Sequence, residues 1–446
     1  MMNTIVVIAN GLHCGYLGCY GNEWVHTPCF DRFASQAVVF DQCFVECPQP
    51  AAVHRSWWTG RYARPSAPEF DCLPSDNALG VLRHSGVRTG LVTDHRLLGD
   101  AFARAESSTG MLGRWFRKLR GLSPRFGFSD VEWVSGNDSE AEEASSLARV
   151  VETGLGWLRR SSGDSPFLLW LECSDPYGPW KPPRKYRELY RDADDEPSRV
   201  VSGPISGIVG ETVSEEELES LRRTYAAAVT FVDTWLGRFF DQLEAEGYLD
   251  KALVVVHSGH GVALGEHDTV GYAPARVLEE NTHVPLLVRL PGGQRGGVRS
   301  QALVQSPDVA ATLWDALGQS AESAIPRFHG GSLLALARGE AAKLRDYAVS
   351  WARGATPEGA PFEEWSLRTH GWHLVLPIFE ADEAVPRRRQ LFVKPEDRWD
   401  HNDVADQHAA AADQLELAVR RFEAAVDQGG IDALPRLRAG TLVLEG

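Results

Sequence analysis

Through its first three quarters, the chain alternates short, nearly unbroken apolar runs with stretches of helical periodicity. Ile5–Ala9 has no polar face, so as a strand it must be covered on both sides, as central strands of parallel sheets are. Val38–Cys43, Val87–Val92, Phe167–Cys173, Leu253–His257 and Pro285–Leu290 repeat the pattern. Between them, Thr27-Pro28 reads as an N-cap with proline at the first helical position. Phe30, Phe33, Ala34 and Ala37 then share one helical face. Glu140–Arg160 reads as a further helix. Ser214 and Glu217 form a capping box that opens a long helix ending near Gly247. Strands alternating with helices predict an α/β fold, a large and mostly parallel sheet sandwiched by helices.

The pattern changes after residue 340. Tyr347–Trp351, Trp365–Thr369, Trp372–Leu376 and Gln390–Val393 are short and hairpin-like, and a helix over roughly Val404–Val426 follows. The expected organisation is an α/β domain over 1–340 and a small C-terminal subdomain over 341–446, an antiparallel sheet plus a helix. Residues 96–146 read as irregular surface structure, and Arg387-Arg388-Arg389 as a solvated turn.

A net charge of -16 over 446 residues repels phosphate backbones, so no nucleic-acid partner is expected. No run approaches the ~18 apolar residues a membrane span needs. The first apolar run is too short for a signal peptide and no basic segment precedes it, which predicts a cytoplasmic protein. The cysteines are Cys14, Cys19, Cys29, Cys43, Cys47, Cys72 and Cys173. They are odd in number and lack metal-site spacing, so buried reduced thiols are expected.

Ligands of open α/β sheets bind at the carboxyl ends of strands. Those positions are Asn10-Gly11, the loop Glu46–Val53, Ser174-Asp175 and Ser258-Gly259-His260. A hydrolase should show carboxylates, a nucleophile and cations there. Instead, Gly11 and Gly259 have no side chain, and Pro50, Ala51, Ala52 and Val53 offer no attacking atom. His54, His260, Glu46 and Asp175 are the titratable groups in these segments.

Several ordered motifs nevertheless resemble the sulfatase family of the alkaline phosphatase superfamily. Leu17-Gly18-Cys19-Tyr20-Gly21, Thr27-Pro28 and Asp31-Arg32 resemble its opening, and Thr59-Gly60-Arg61-Tyr62 its T-G-R-Y. Tyr225–Val229 with Val232-Asp233 resembles the helix before its metal-binding strand. Leu264-Gly265-Glu266-His267, Val284–Gly292 and Gln390–Asp403 continue the match. The resemblance implies an alkaline phosphatase-like fold, a bound calcium and a formylglycine nucleophile.

The departures from that family fall where its chemistry sits. Its first calcium-binding Asp pair reads Asn10-Gly11, and its second metal pair reads Gly259-His260. Counting back from Thr59-Gly60-Arg61, the nucleophile position is Pro50 and the motif's arginine position is His54. The histidine that contacts sulfate falls at Ser174, and the lysine after the L-G-E-H loop at Tyr272. Moving the nucleophile to Cys47 needs a three-residue insertion and leaves Gln49 and Ala51 where proline and arginine belong. Ser56 and Thr59 lack an evident base.

Each position also has a plain reading. Pro50 suits a helix start, His54 a solvated or hydrogen-bonded histidine, and Trp57-Trp58 packing against the sheet, with one ring free to fill the vacated pocket. His257, His260 and His267 have no zinc-type spacing. The favoured expectation is a non-catalytic, sulfatase-like protein without cofactor, acting through an unidentified small-molecule ligand or protein partner. Two alternatives stand beside it: a sulfate or phosphate ester hydrolase with an unrecognised nucleophile, and a structural subunit in a homo- or hetero-oligomer with an active relative. A hydrolase would be expected to keep its metal or cations, because developing negative charge must be stabilised.

Overall fold

The computed structural model describes residues 1–63, 78–96, 98, 127–135, 141–161, 163, 165–191, 206–272, 276–319, 328–355, 361–380, 388–428 and 435–437. An eight-stranded sheet forms the centre. Its strands are β1 (Asn3–Ala9), β2 (Val38–Phe44), β3 (Arg88–Thr93), β4 (Asp130–Trp133), β5 (Phe167–Cys173), β7 (Ala252–His257), β10 (Leu286–Arg289) and β11 (Arg299–Gln305). They run in the order β11-β2-β10-β7-β1-β5-β3-β4. β1 lies parallel to both β5 and β7. β10 alone is reversed, antiparallel to β7 and β2.

The two-residue period of a strand sends neighbouring side chains to opposite faces. Ile5, Val7 and Ala9 therefore join one core layer with α1 (Pro28–Ser35), α3 (Ser146–Ser161) and α4 (Glu215–Ala245). Val6 and Ile8 join the opposite layer with α2 (Pro50–Thr59) and α5 (Pro307–Ala316). Both faces are covered, which is why β1 carries no polar residue between Ile5 and Ala9.

The capping box of α4 forms: Ser214 Oγ accepts from the Glu217 amide at 3.2 Å, and Glu217 Oε2 accepts from the Ser214 amide at 2.9 Å. The expected cap of α1 does not. Thr27 Oγ1 accepts from Gly18 N instead, and the first amides of α1 donate to Asp233 from α4.

Three other boundaries differ from the sequence expectation. The helix expected from Glu140 starts at Ser146, after a 3-10 turn at Glu142–Ala144. The region expected to be irregular contains edge strand β4, although much of it, like Cys72, lies outside the described residues. A three-stranded sheet joins β6 (Gly207–Ile208), β8 (Ala263–Leu264) and β9 (Thr269–Gly271), none of which periodicity marked.

After residue 340, β12 (Ala348–Ala355), β13 (Pro361–Arg368), β14 (Trp372–Glu380) and β15 (Gln390–Val393) form the antiparallel sheet in that order. Trp365, Leu374 and Leu391 pack with Leu415, Val419 and Phe422 of α6 (Ala409–Gln428), together with Cys47 and Tyr62 from beside the main sheet. Arg387 lies outside the described residues. Arg389 is not a solvated turn residue, because it pairs with Asp413 and Glu416 of α6. No helix among the described residues is long and apolar enough to cross a membrane.

Candidate functional site

The expected site residues gather where the carboxyl ends of β1, β5 and β7 face the start of α2. Pro50 is the first residue of α2, preceded by Gln49 in extended backbone. Its missing N–H costs nothing there, and it offers no attacking atom. Its carbonyl accepts a 2.6 Å hydrogen bond from His54 Nδ1 one turn later.

His54 is not solvated; it is fully buried. A carbonyl can only accept, so Nδ1 carries a proton. His54 Nε2 lies 2.7 Å from Glu172 Oε1, within hydrogen-bond distance. Glu172 is also fully buried. Its Oε1 accepts from Asn10 Nδ2 at 2.8 Å, and its Oε2 from Trp170 Nε1 at 3.1 Å. Burial pushes the carboxyl up, but His54 at hydrogen-bond distance, with His95 and Asn10, outweighs it and holds Glu172 at about 2. The centre thus holds a buried negative charge that the positions picked from sequence did not supply.

Gly11 and Gly259 are overlaid rather than open. A Cβ at Gly11 would stand 2.6 Å from Tyr272 Oη and 2.9 Å from the Tyr177 backbone. A Cβ at Gly259 would stand 2.8 Å from Asn10 Oδ1 and 3.1 Å from Trp57 Cη2. The Trp57 ring therefore fills part of this space while packing against Trp170 and His257. Tyr272, at the family's lysine position, stacks near Tyr177 and carries no charge at neutral pH, since burial raises its phenol far above the ordinary range.

His260 donates from Nδ1 to the Gly261 carbonyl at 2.9 Å, and its Nε2 has no partner among the described residues. Burial lowers it to about 4, so it is neutral at pH 7. His95, after β3, is lowered to about 4 by burial and lies 5.5 Å from His54, ring to ring. Ser174 donates its amide to Asp94 Oδ1 at 2.7 Å. Burial, then the nearby Asp94, raises Asp175 to about 7.

Sequence reasoning missed Glu172 and His95. Glu172 is the one charged residue in Phe167–Cys173, next to last in an apolar strand, and that was the available signal. His95 follows β3, whose carboxyl end was not among the segments considered.

Calcium needs six to eight oxygen ligands with carboxylate countercharge. Asn10, Gly11, Gly259 and His260 together offer one side-chain oxygen, and both oxygens of Glu172 are already engaged. The residues present do not fit calcium. His257, His260 and His267 bond separately to the Pro285 carbonyl, the Gly261 carbonyl and Glu280, so they share no common point. Among the described residues, one group of acid and histidine atoms is close enough to share an ion: Glu279, His373 and Asp400, within 4.8 Å of one another. The Lys394 ammonium already lies there, 2.7 Å from Asp400 and 3.4 Å from Glu279.

The candidates for a displaced nucleophile, Cys47, Ser56 and Thr59, are all buried. Cys47 is fully buried, its thiol pushed well above the ordinary range by burial and then Glu46. Ser56 Oγ accepts from the Ala63 amide, and Thr59 Oγ1 donates to the Arg55 carbonyl. All six described cysteines are free thiols, and Cys19 and Cys29 are half-buried rather than buried.

Residues 2–319 match the family model described as Sulfatase. An arylsulfatase from Clostridium perfringens is 24% identical over 366 residues, covering 70% of this chain and 74% of that protein. Human iduronate 2-sulfatase is 23% identical, covering 65% of this chain and 60% of its own length. The phosphonate monoester hydrolase of Agrobacterium radiobacter superposes with a TM-score of 0.70 at 19% identity, covering 95% of each chain, and so shares the fold. With the family model spanning most of the sequence and the same architecture in the structure, the chain belongs to the sulfatase family.

Proposed function

We propose that this chain is a non-catalytic member of the sulfatase family that acts by binding a ligand or partner and holds no calcium. One observation carries the proposal: the chain itself occupies the ground where family chemistry needs ligands and a nucleophile. Tyr272 and Trp57 cover the two glycines, and Pro50 opens α2 with no atom to attack sulfur. A covalent nucleophile is activated by a base or metal; the Cys47 thiol is instead pushed well above its ordinary range by burial and then Glu46, and Ser56, although beside the buried Glu46 carboxyl, lies inside α2 with its Oγ accepting from the Ala63 amide.

The test is an aryl sulfate ester assay on the purified protein. No turnover above the buffer rate is expected, and Pro50→Ala should change nothing. Turnover that survives Pro50→Ala but vanishes with Cys47→Ala would establish a shifted nucleophile and sink the proposal.

A further inference from the structure

We propose that the buried Glu172–His54 pair replaces a metal ion as the tie between the sheet and α2, with Asn10 as its obligatory third member. This rests on the reading that the site holds no calcium. A dication among carboxylates does two things at once: it neutralises their charge and it cross-links the elements that carry them.

Here the second task falls to side chains. Glu172 comes from β5, His54 from α2, and Asn10 follows β1. Asn10 Nδ2 and His54 Nε2 both point at Glu172 Oε1, at 2.8 and 2.7 Å, while Trp170 Nε1 takes Oε2. His54 Nδ1 returns to the first carbonyl of α2. The carboxylate meets its hydrogen-bond partner with no exposure of either side chain, so the site has a tie between β5 and α2 without an ion. A buried charge left without its partner is strongly unfavourable.

The chemistry also explains why an amide stands at position 10. A carboxylate there would place a second negative oxygen against Glu172 at hydrogen-bond distance, with no proton between them. Asn10, His54 and Glu172 are therefore interdependent. Restoring an acid at position 10 alone would damage the fold instead of recovering a metal site.

Denaturation midpoints of the full chain test this. Glu172→Gln and His54→Gln should each lower the midpoint by about 5–10 °C, and the double variant should lose clearly less than the sum. Asn10→Asp should also lower the midpoint, and adding Glu172→Gln should raise it again. If a single variant does not accumulate in folded form, a higher soluble yield of its paired variant reads out the same rescue. Additive losses in both pairings overturn the proposal. So does a midpoint of the unaltered protein that rises with calcium and falls with chelator, because an ion would then be the tie. Ester hydrolysis with the rescue intact would remove the non-catalytic reading and leave the pair standing.

Discussion

Glu172 sits fully buried with three hydrogen-bond partners on its two oxygens, and that arrangement decides how the centre responds to calcium. A free carboxylate could bind a hard cation, but one already engaged by His54, Asn10 and Trp170 cannot do so without losing them. Calorimetric titration of chelator-treated protein with calcium is expected to be flat. A micromolar site that disappears in Asn10→Ala would reverse that expectation. Acid should act through histidines instead. Burial holds His95, His257 and His260 at about 4 in the folded protein, against about 6.5 in an unfolded chain. As pH falls, the unfolded chain binds protons at these histidines first, so their contribution is whole above about 6.5 and drains away down to about 4. His267 runs the other way. Burial disfavours its charge, but Glu280 and the Asp400 carbonyl prevail and raise it to about 9. Its contribution is whole below about 6.5 and is lost as pH rises through 9. Burial raises Glu46 and Asp175 to about 7 and Asp233 to about 6, so these carboxyls oppose the acid limb, while above about 6.5 none of these groups opposes His267 and the thermal midpoint should fall as pH rises towards 9. A midpoint constant from pH 7 to 9 would contradict the His267 limb.

At the scale of elements, α1 shows how one segment is finished by another. Proline at its first position and the apolar face of Phe30, Phe33 and Ala34 were legible in the sequence. The cap was not, because Asp233 lies more than 200 residues away on α4. It accepts from Cys29 N at 3.1 Å and Phe30 N at 2.7 Å, and burial raises it to about 6. Asp233→Ala leaves one buried and one half-buried amide without an acceptor and is expected to cost ~1–3 kcal/mol in chemical denaturation. Ser214→Ala, at the exposed capping box of α4, should cost about 1 kcal/mol. If Ser214→Ala proved the more damaging, the cap assignment for α1 would be wrong. The reversal of β10 belongs to the same scale. An apolar run carries no direction, so only its pairing with β7 and β2 reveals it.

For the whole molecule, a buried ionic network joins the main sheet to the C-terminal sheet. Glu279, from the segment before β10, meets Arg368 of β13 and Lys394 beyond β15. Lys394 also meets Asp400, which His373 of β14 contacts at 2.9 Å. Burial alone would raise the Glu279 and Asp400 carboxyls. For Glu279, Arg368 and Lys394 lead the opposing pull, and for Asp400 it is His373, so both end below the ordinary range. Lys394→Met would remove the cation shared by two buried carboxylates, leaving Glu279 with Arg368 and Asp400 with His373, and is expected to cost about 3–5 kcal/mol. A loss below 1 kcal/mol by denaturant titration would show that the network relaxes or admits water.

By itself, the sequence determined the strand-helix alternation, the two-faced burial of β1, the capping box of α4 and the change of architecture near residue 340. These are local properties: side-chain period, cap chemistry and turn residues act within a few positions. It also determined that Pro50, Gly11 and Gly259 bring no reactive group, because composition at a known strand end is enough for that. Only the tertiary structure decided what fills the ground they leave. Tyr272 over Gly11, Trp57 beside Gly259 and His54 against Glu172 are contacts between residues far apart in the chain. A histidine and a glutamate separated by 118 positions reveal nothing to each other in a linear reading. They become one hydrogen-bonded unit when the sheet brings β5 under α2, out of reach of water.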